Sequence, residues 1–470
     1  MRRLALLSLA ALAACTLGPD YKRPQLELPA QYPEPAPVAT QTLALQWWQL
    51  YRDTTLDGLI EAAQKANADV RLAAARVQEA EGALREARAA LFPEVTGSYA
   101  YTRQRVSTVA SPPVPPGFPL IRPNHTLAAS TNFEVDFWGR FARASEAARA
   151  NLFGAQYARD TVQLSLAGAI TQAYFALRSL DAQIAVLDNT IRLRRESLDI
   201  AQARLDAGLA SELDVYQARG ALFDALVQKR DAARNRSLVE HQLGSLTGKL
   251  DLKLAAGDLF ALPLAPVPPP GLPSALLERR PDIRQAEENL VATNAQIGIA
   301  RAALFPTITL TGQAGGQSAE LGDLLTSGAK IWTLGFGLAL PLFDAGRRSA
   351  RVDQAYARRE QAVAGYQRAV ETGFREVADA LVNVQESGAS EAELKARLDA
   401  ARAALELSTL RYEKGYSPYL EVLDAQRNAN DAELAFVRNR QARLAFSVDL
   451  MKALGGGWNS GTQPELRGKR

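Results

Sequence analysis

The sequence predicts an α+β chain, mostly α, in which one unit of helices and a two-stranded hairpin is written twice. Three observations carry this expectation. The six residues RAALFP occur at Arg88 to Pro93 and again at Arg301 to Pro306, each time where a helical pattern stops. After each copy the chain alternates apolar and polar residues with the period of a strand. Between them run Ala-, Leu-, Arg-, Glu- and Gln-rich stretches with few breakers, too long for a compact domain.

The elements follow in chain order. MRRLALLSLAALAAC sets two arginines before an apolar run of about eleven residues and then small residues, the pattern of a secretion signal over 1–14. That run is far below the roughly 20 residues of a membrane-spanning helix. Cys15 is the only cysteine, so the sequence offers no disulfide framework and no cysteine metal site. Residues 15–52 form an N-terminal segment, and the first repeat covers 53–256.

Aligning Asp69 with Asp282 carries the match from DVRLAAARVQEAEGALREARAALFP to DIRQAEENLVATNAQIGIARAALFP, identical at ten of 25 positions. Farther on, RLDAGLASELDVYQAR from Arg204 faces RYEKGYSPYLEVLDAQR from Arg411. The offset between copies shrinks from 213 to 207 residues, read at Arg88/Arg301 and Arg204/Arg411. The extra residues of the first copy belong to SPPVPPGFPLIRP, Ser111 to Pro123, whose prolines exclude helix and central strand and mark an exposed loop.

In the first copy, VTGSYAYTR places Val95, Tyr99 and Tyr101 against Thr96, Ser98 and Thr102. Beyond the proline loop, TNFEVDFW places Phe133, Val135 and Phe137 against Asn132, Glu134 and Asp136. In the second copy Ile308 and Leu310 oppose Thr307, Thr309 and Thr311. There IWTLGFGLAL sets Trp332, Leu334, Phe336, Leu338 and Leu340 against Thr333, Gly335, Gly337 and Ala339. Strands of about ten residues have transmembrane length. Such hairpins either rest on a soluble core or turn one face to lipid. The secretion signal and the aromatic residues at strand ends, Tyr99, Tyr101, Trp138 and Trp332, favour lipid. Four strands cannot close a barrel, so neighbouring chains must supply the rest.

From Gly139 to Gly208 and from Gly346 to Gly415 the pattern predicts two long helices, each about 100 Å if unbroken. Gly388, in QESGAS, is the expected weak point of the second. Shorter helices are expected at 53–91, 212–246, 275–304 and 418–454, and two laid end to end match one long helix, giving four columns per chain. Residues 257–274 contain GDLFALPLAPVPPPGLP and form an equatorial connection. The second repeat follows over 275–454, and a tail over 455–470.

Charge argues against a nucleic-acid partner, since 22% charged residues carry a net charge of only +3. An enzyme is poorly supported. His125 and His241 are the only histidines, one beside the proline loop and one in a helix, and no phosphate-cradling glycine loop is present. The sequence therefore points to no metal and no catalytic residue.

The chain resembles the TolC family of outer-membrane factors, in the lipoprotein branch that serves multidrug efflux. The resemblance rests on CTLGPDY at Cys15, WWQLYRD at Trp47, both RAALFP copies, FEVDFWGR and LPLFDAGRR before the long helices, RRPDIRQAE at Arg279 and MKALGGGW at Met451. It implies a homotrimer whose twelve-stranded transmembrane β-barrel, four strands per chain, continues into a long periplasmic α-helical barrel. Cys15 would carry a covalent lipid such as palmitate, with no other cofactor, and Thr16 after it favours the outer membrane. The implied role is the exit duct of a tripartite system with a periplasmic adaptor protein and an inner-membrane RND-type transporter, passing drugs or small toxic compounds. A duct for type I protein secretion is the alternative within the same architecture. Pro93 and Pro306 would mark the two junctions where helix meets strand at the membrane.

The resemblance places a periplasmic gate at the tips AGLASELD and KGYSPYLEVLD. Glu421 and Asp424, three apart in a first helical turn, share a face, and three chains would gather their carboxylates into a ring. Glu421 stands in place of the first gate aspartate of the family, and Asp424 at the second. Asp214 matches a residue that holds the closed tip, and Tyr412 matches its tyrosine partner. Ser417 stands where some members carry a latching arginine, with Arg427 as candidate substitute.

Overall fold

The structure is a computed structural model that describes residues 16–29, 32, 46–109, 114–266 and 276–456. The signal 1–14, Cys15, the end of the proline-rich connection and the tail beyond 456 lie outside the described residues. Eight α-helices and four strands are found among the described residues: α1 (Thr54–Ala66), α2 (Ala68–Ala89), β1 (Val95–Arg105), β2 (Ile121–Glu134), α3 (Arg140–Asp206), α4 (Glu212–Thr247), α5 (Leu276–Arg279), α6 (Pro281–Ala302), β3 (Thr307–Ser318), β4 (Lys330–Ala339), α7 (Arg347–Glu413) and α8 (Tyr419–Ala453). Their order repeats as the sequence predicts. No helix among the described residues is long and apolar enough to cross a membrane.

The long helices are continuous at 67 residues each, and Gly388 does not interrupt α7. Two short segments expected to be single helices are split. Asn67 divides the first, because its side-chain oxygen accepts from the Asp69 and Val70 amides at 2.8 and 3.2 Å and caps α2 as α1 ends. Arg280 divides the third, since the residue before Pro281 is disfavoured in α conformation while proline suits a first helical position.

The chain divides into two compact units, and neither is a repeat: each draws on both copies. One unit comprises residues 1–25, 76–155 and 286–366 and holds the sheet, in the order β1-β2-β3-β4, antiparallel throughout. Its register bears out the predicted faces in β1, β3 and β4, and in β2 at Asn132, Phe133 and Glu134. Val95, Thr131, Gly312 and Leu334 form one row, and Phe133, Leu310 and Phe336 another. The intervening rows are polar: Thr96, Ser130, Gln313 and Thr333, then Asn132, Thr311 and Gly335. Strand β2 departs from expectation. It begins at Ile121, inside the predicted proline loop, and ends at Glu134, so Val135, Phe137 and Trp138 fall beyond it. Pro123 is tolerated because β3 pairs with β2 only from His125 onward, leaving Pro123 a partner on one side.

Both RAALFP copies end alike. Leu91 and Phe92 donate to Arg88 and Ala89, and Leu304 and Phe305 to Arg301 and Ala302, tightening the last turn before Pro93 and Pro306 stop it. Trp138 lies four residues beyond β2 and ties the β2–α3 junction to the Pro306 junction: its indole Nε1 donates to the Pro306 carbonyl at 2.7 Å and its ring lies 4.6 Å from Phe305. Both strand-to-helix junctions are capped by an aspartate. Asp136 accepts from the Phe141 and Ala142 amides, Asp344 from those of Gly346 and Arg348.

The other unit comprises 26–75, 156–285 and 367–470. Its main core is built on the WWQLY turn, where Trp47 and Tyr51 are wholly buried against Leu56, Ile60, Phe175, Leu243 and Val448. The Tyr51 ring meets Phe175 edge-on at 4.8 Å, and its hydroxyl shares a 2.7 Å hydrogen bond with Ser447. Leu259, Leu262 and Ala265 of the proline-rich connection enter the same core. The connection is pinned by Asp181, which accepts from the Gly257 amide at 3.1 Å while pairing with Arg178 and Arg236.

Candidate functional site

The tips of both helical hairpins lie in this second unit. Gly208 and Gly415 adopt φ of 72° and 79°, which glycine accepts without strain, and close the long helices with the same pair of bonds. Gly208 N–H donates to the Leu205 carbonyl and Leu209 N–H to that of Arg204; Gly415 and Tyr416 do likewise to Tyr412 and Arg411. Duplication is therefore preserved down to the hydrogen bonds of each turn.

After the turns the copies differ. Ser211 caps α4 in a capping box, its hydroxyl accepting from the Asp214 amide and the Asp214 carboxylate accepting from the Ser211 amide, both at 3.4 Å. Pro418 occupies the matching cap of α8 and offers no side-chain acceptor. Glu421, the counterpart of Asp214, faces Arg411 at 3.8 Å, and Asp424 faces Arg427 at 3.9 Å. These four side chains are about half exposed, so such contacts contribute little to stability.

Behind the carboxylates the two tips share a core of Ala201, Val215, Ala218, Ala221, Tyr412, Tyr419, Val422 and Leu423. The rings of Tyr412 and Tyr419 meet at 5.4 Å and 60°. Side chains tie the hairpins together: Gln426 Nε2 donates to Ser197 Oγ at 2.8 Å, and nearest the turn Arg204, in the last turn of α3, donates from Nη1 to the Tyr412 carbonyl at 2.9 Å and lies over the Tyr412 ring at 4.8 Å. Burial pushes the Tyr412 phenol up; the Arg204 guanidinium opposes that push and the Asp214 carboxylate adds to it. Burial likewise raises the Tyr419 phenol to about 12.

The tip also concentrates buried polar atoms without a hydrogen-bond partner among the described residues: the hydroxyls of Tyr412, Ser417 and Tyr419, Gln426 Oε1, and Nε of Arg194 and Arg204. Such atoms each cost roughly 1–3 kcal/mol. Beside them a cavity of about 610 Å³ is lined by Arg194, Leu405, Leu410, Gln426 and Asn430 among others.

Of the residues singled out from sequence, Tyr412 enters the shared core, Asp214 serves as a cap, and Glu421, Asp424 and Arg427 lie on the exposed first turns of α8. Arg427 pairs within its own helix and Ser417 is buried. The residue the sequence reading missed is Arg204. Its alignment with Arg411 marked it as a tip arginine, but arginine is too common in these helices for that to single it out.

In the sheet, the polar rows line a cleft of about 350 Å³ bounded by Thr96, Ser130, Asn132, Thr311, Gln313 and Thr333. The apolar rows are exposed, as are Trp332, Leu334, Phe336 and Leu338 of β4.

A family described as outer membrane efflux protein matches residues 59–249 and 272–456. The toluene efflux pump outer membrane protein TtgF of Pseudomonas putida is 35% identical, covering 97% of this chain and 96% of its own. The outer membrane protein OprJ of Pseudomonas aeruginosa is 33% identical over the same shares. Among solved structures, the open state of the MtrE outer membrane channel of Neisseria gonorrhoeae superposes with a TM-score of 0.85 at 29% identity, covering 96% of this chain and all of that one. The outer-membrane channel OprN superposes with a TM-score of 0.87 at 28% identity, covering 94% of this chain and 100% of its own.

Proposed function

Because the chain belongs to the outer membrane efflux protein family, we propose that it is the passive exit duct of a tripartite pump, held shut at its helix tips by the Arg204 tie. The observation that carries the duct is the sheet. One face is apolar and exposed, the other polar and concave, and strands β1 and β4 are left as open edges. Unpaired edges are not tolerated in lipid, and three copies placed edge to edge give twelve strands, enough to enclose water.

Cargo is small and apolar in this reading, supported by relatives described as toluene, solvent and antibiotic efflux proteins. Cys15 would carry the lipid that tethers the N-terminus. A periplasmic adaptor and an inner-membrane transporter would supply energy and selectivity, the duct itself doing neither.

The gate works by differential stability. Arg204 joins the α3 end to the α7 end; in this reading that bond belongs to the shut tip, and the unpaired hydroxyls of Tyr412 and Tyr419 would keep the shut state from being deep. Adaptor binding that favours separated hairpins then needs to offset only a few contacts. Glu421 and Asp424 of three chains, near the axis, would repel one another and draw cations. The test is planar-bilayer recording of purified trimer. Small cation-preferring steps are expected, and a water-soluble monomer with no channel activity would overturn the reading.

A further inference from the structure

The outward face of the sheet changes character along its length. From the Ile308–Leu338 pair to the row of Tyr101, His125 and Ser318 it is mostly apolar or aromatic, interrupted by Thr131, Ser318 and the charged Lys330. That stretch spans about ten residues of β3, about 33 Å along the strand, or about 25 Å in height at the usual tilt, the thickness of the apolar band of an outer-membrane barrel. Beyond it, at the end of the sheet remote from the helices, the same face carries Arg103 opposite Pro123 and Arg105 opposite Ile121. Lys330 lies inside the stretch, one row short of its limit, at the level of Tyr99 and Leu127.

The change is organised. Tyr99 Oη lies 2.8 Å from His125 Nδ1, and the Tyr101 ring packs on the imidazole at 4.7 Å. These rings form an amphipathic row at the limit of the apolar band, with Arg103 and Arg105 one and two rows farther out. Both arginines are exposed, and neither they nor Lys330 has a carboxylate partner among the described residues. Glu320 and Asp323 belong to the β3–β4 connection, beyond the strands. Two unpaired guanidinium groups on a lipid-facing surface, at headgroup height, are matched by anions with planar or tetrahedral oxygen sets.

We infer that Arg103 and Arg105, with the Tyr99–Tyr101–His125 row beneath them, form a binding site for the phosphate groups of an anionic outer-leaflet lipid. This rests on the barrel reading above, since only that reading sets the face against lipid. Each basic residue near an anionic headgroup is worth about fivefold in binding, so the pair gives about twenty-fivefold.

The experiment is native mass spectrometry of the detergent-extracted trimer titrated with diphosphorylated lipid A and, separately, with the same lipid stripped of phosphate. The trimer should prefer the phosphorylated form by about twenty-fivefold, and R103Q/R105Q, still trimeric by mass, should bind the two equally. Millimolar inorganic phosphate should not displace the lipid. An intact wild-type trimer that binds both lipids equally, a double variant that keeps the preference, or displacement by free phosphate would overturn the inference while leaving the duct standing. Absence of a trimer would overturn both.

Discussion

Replacing Arg204 by alanine separates the two hairpins of each chain at one point. The side chain supplies a charge-assisted hydrogen bond to the Tyr412 carbonyl and a guanidinium-to-ring contact. Bonds of the first kind are worth about 1.5–3 kcal/mol and contacts of the second about 0.5–1 kcal/mol. The buried, unpartnered Nε of Arg204 offsets part of this, leaving about 2 kcal/mol per chain. In a trimer whose tips move together the loss is about 6 kcal/mol, comparable with the roughly 5.5 kcal/mol that converts a 1:99 equilibrium into 99:1.

R204A should therefore spend most of its time in a high-conductance state where the wild type is shut. Single-channel recording in planar bilayers reads this as dwell fraction and step size. R204K, which keeps a charge and a donor but not the fork, should fall between. Wild-type conductance and dwell times from intact R204A trimers would refute the argument, because they would mean that the shut tip does not depend on the tie.

Further variants probe other links. E421A/D424A should raise conductance and lower the cation-to-anion permeability ratio, measured by reversal potential in a salt gradient; unchanged traces would remove both residues from the gate. D214A should act on stability, lowering the thermal midpoint of the tip by the equivalent of about 0.5–1 kcal/mol while changing conductance less than E421A. At Gly315 a side chain would place its Cβ 2.1 Å from the Leu127 carbonyl oxygen and 2.7 Å from Ala128 Cα, both backbone atoms. G315V should therefore abolish the heat-sensitive trimer band on gels, and a wild-type yield of trimer would contradict the register. Burial raises the Tyr419 phenol to about 12, so its stabilisation is complete below the usual value near 10 and is lost as pH rises through about 12. The wild type should lose thermal stability relative to Y419F across that window, and parallel profiles would show that this phenol is not held protonated by the fold.

What the sequence made legible was local. The strand faces were readable because alternation depends only on neighbours, and the β3 and β4 registers then placed Leu310 beside Phe336 as alternation requires. The start of β2 was not, because IRPNHTLAAS mixes small and polar residues on both faces and its proline, following the proline-rich run, mimics a loop. Only pairing with β1 reveals that Pro123 is a strand residue. Gly388 illustrates the opposite error: a helix cost of about 1 kcal/mol is too small to break a continuous 67-residue helix. Arg204 was out of reach because its partner is a backbone carbonyl 208 residues away, which no side-chain pattern records.

The two tips show how duplication makes a gate from a cap. In the first repeat a serine at the cap and an aspartate three residues later satisfy each other's backbone donors, so the carboxylate belongs to the helix end. In the second repeat Pro418 fills the cap with no side-chain acceptor, and the residue aligned with Asp214 is Glu421, longer by one methylene and free of capping duty. Substituting the cap thus turned the same position from a structural anion into an exposed one, with Asp424 beside it on the same face. A carboxylate released from capping, though still placed favourably in the first turn of α8, is exposed and available to act across a trimer axis. The control of opening is therefore expected to reside in the second tip, with the first supplying Arg204 as the arm that holds it.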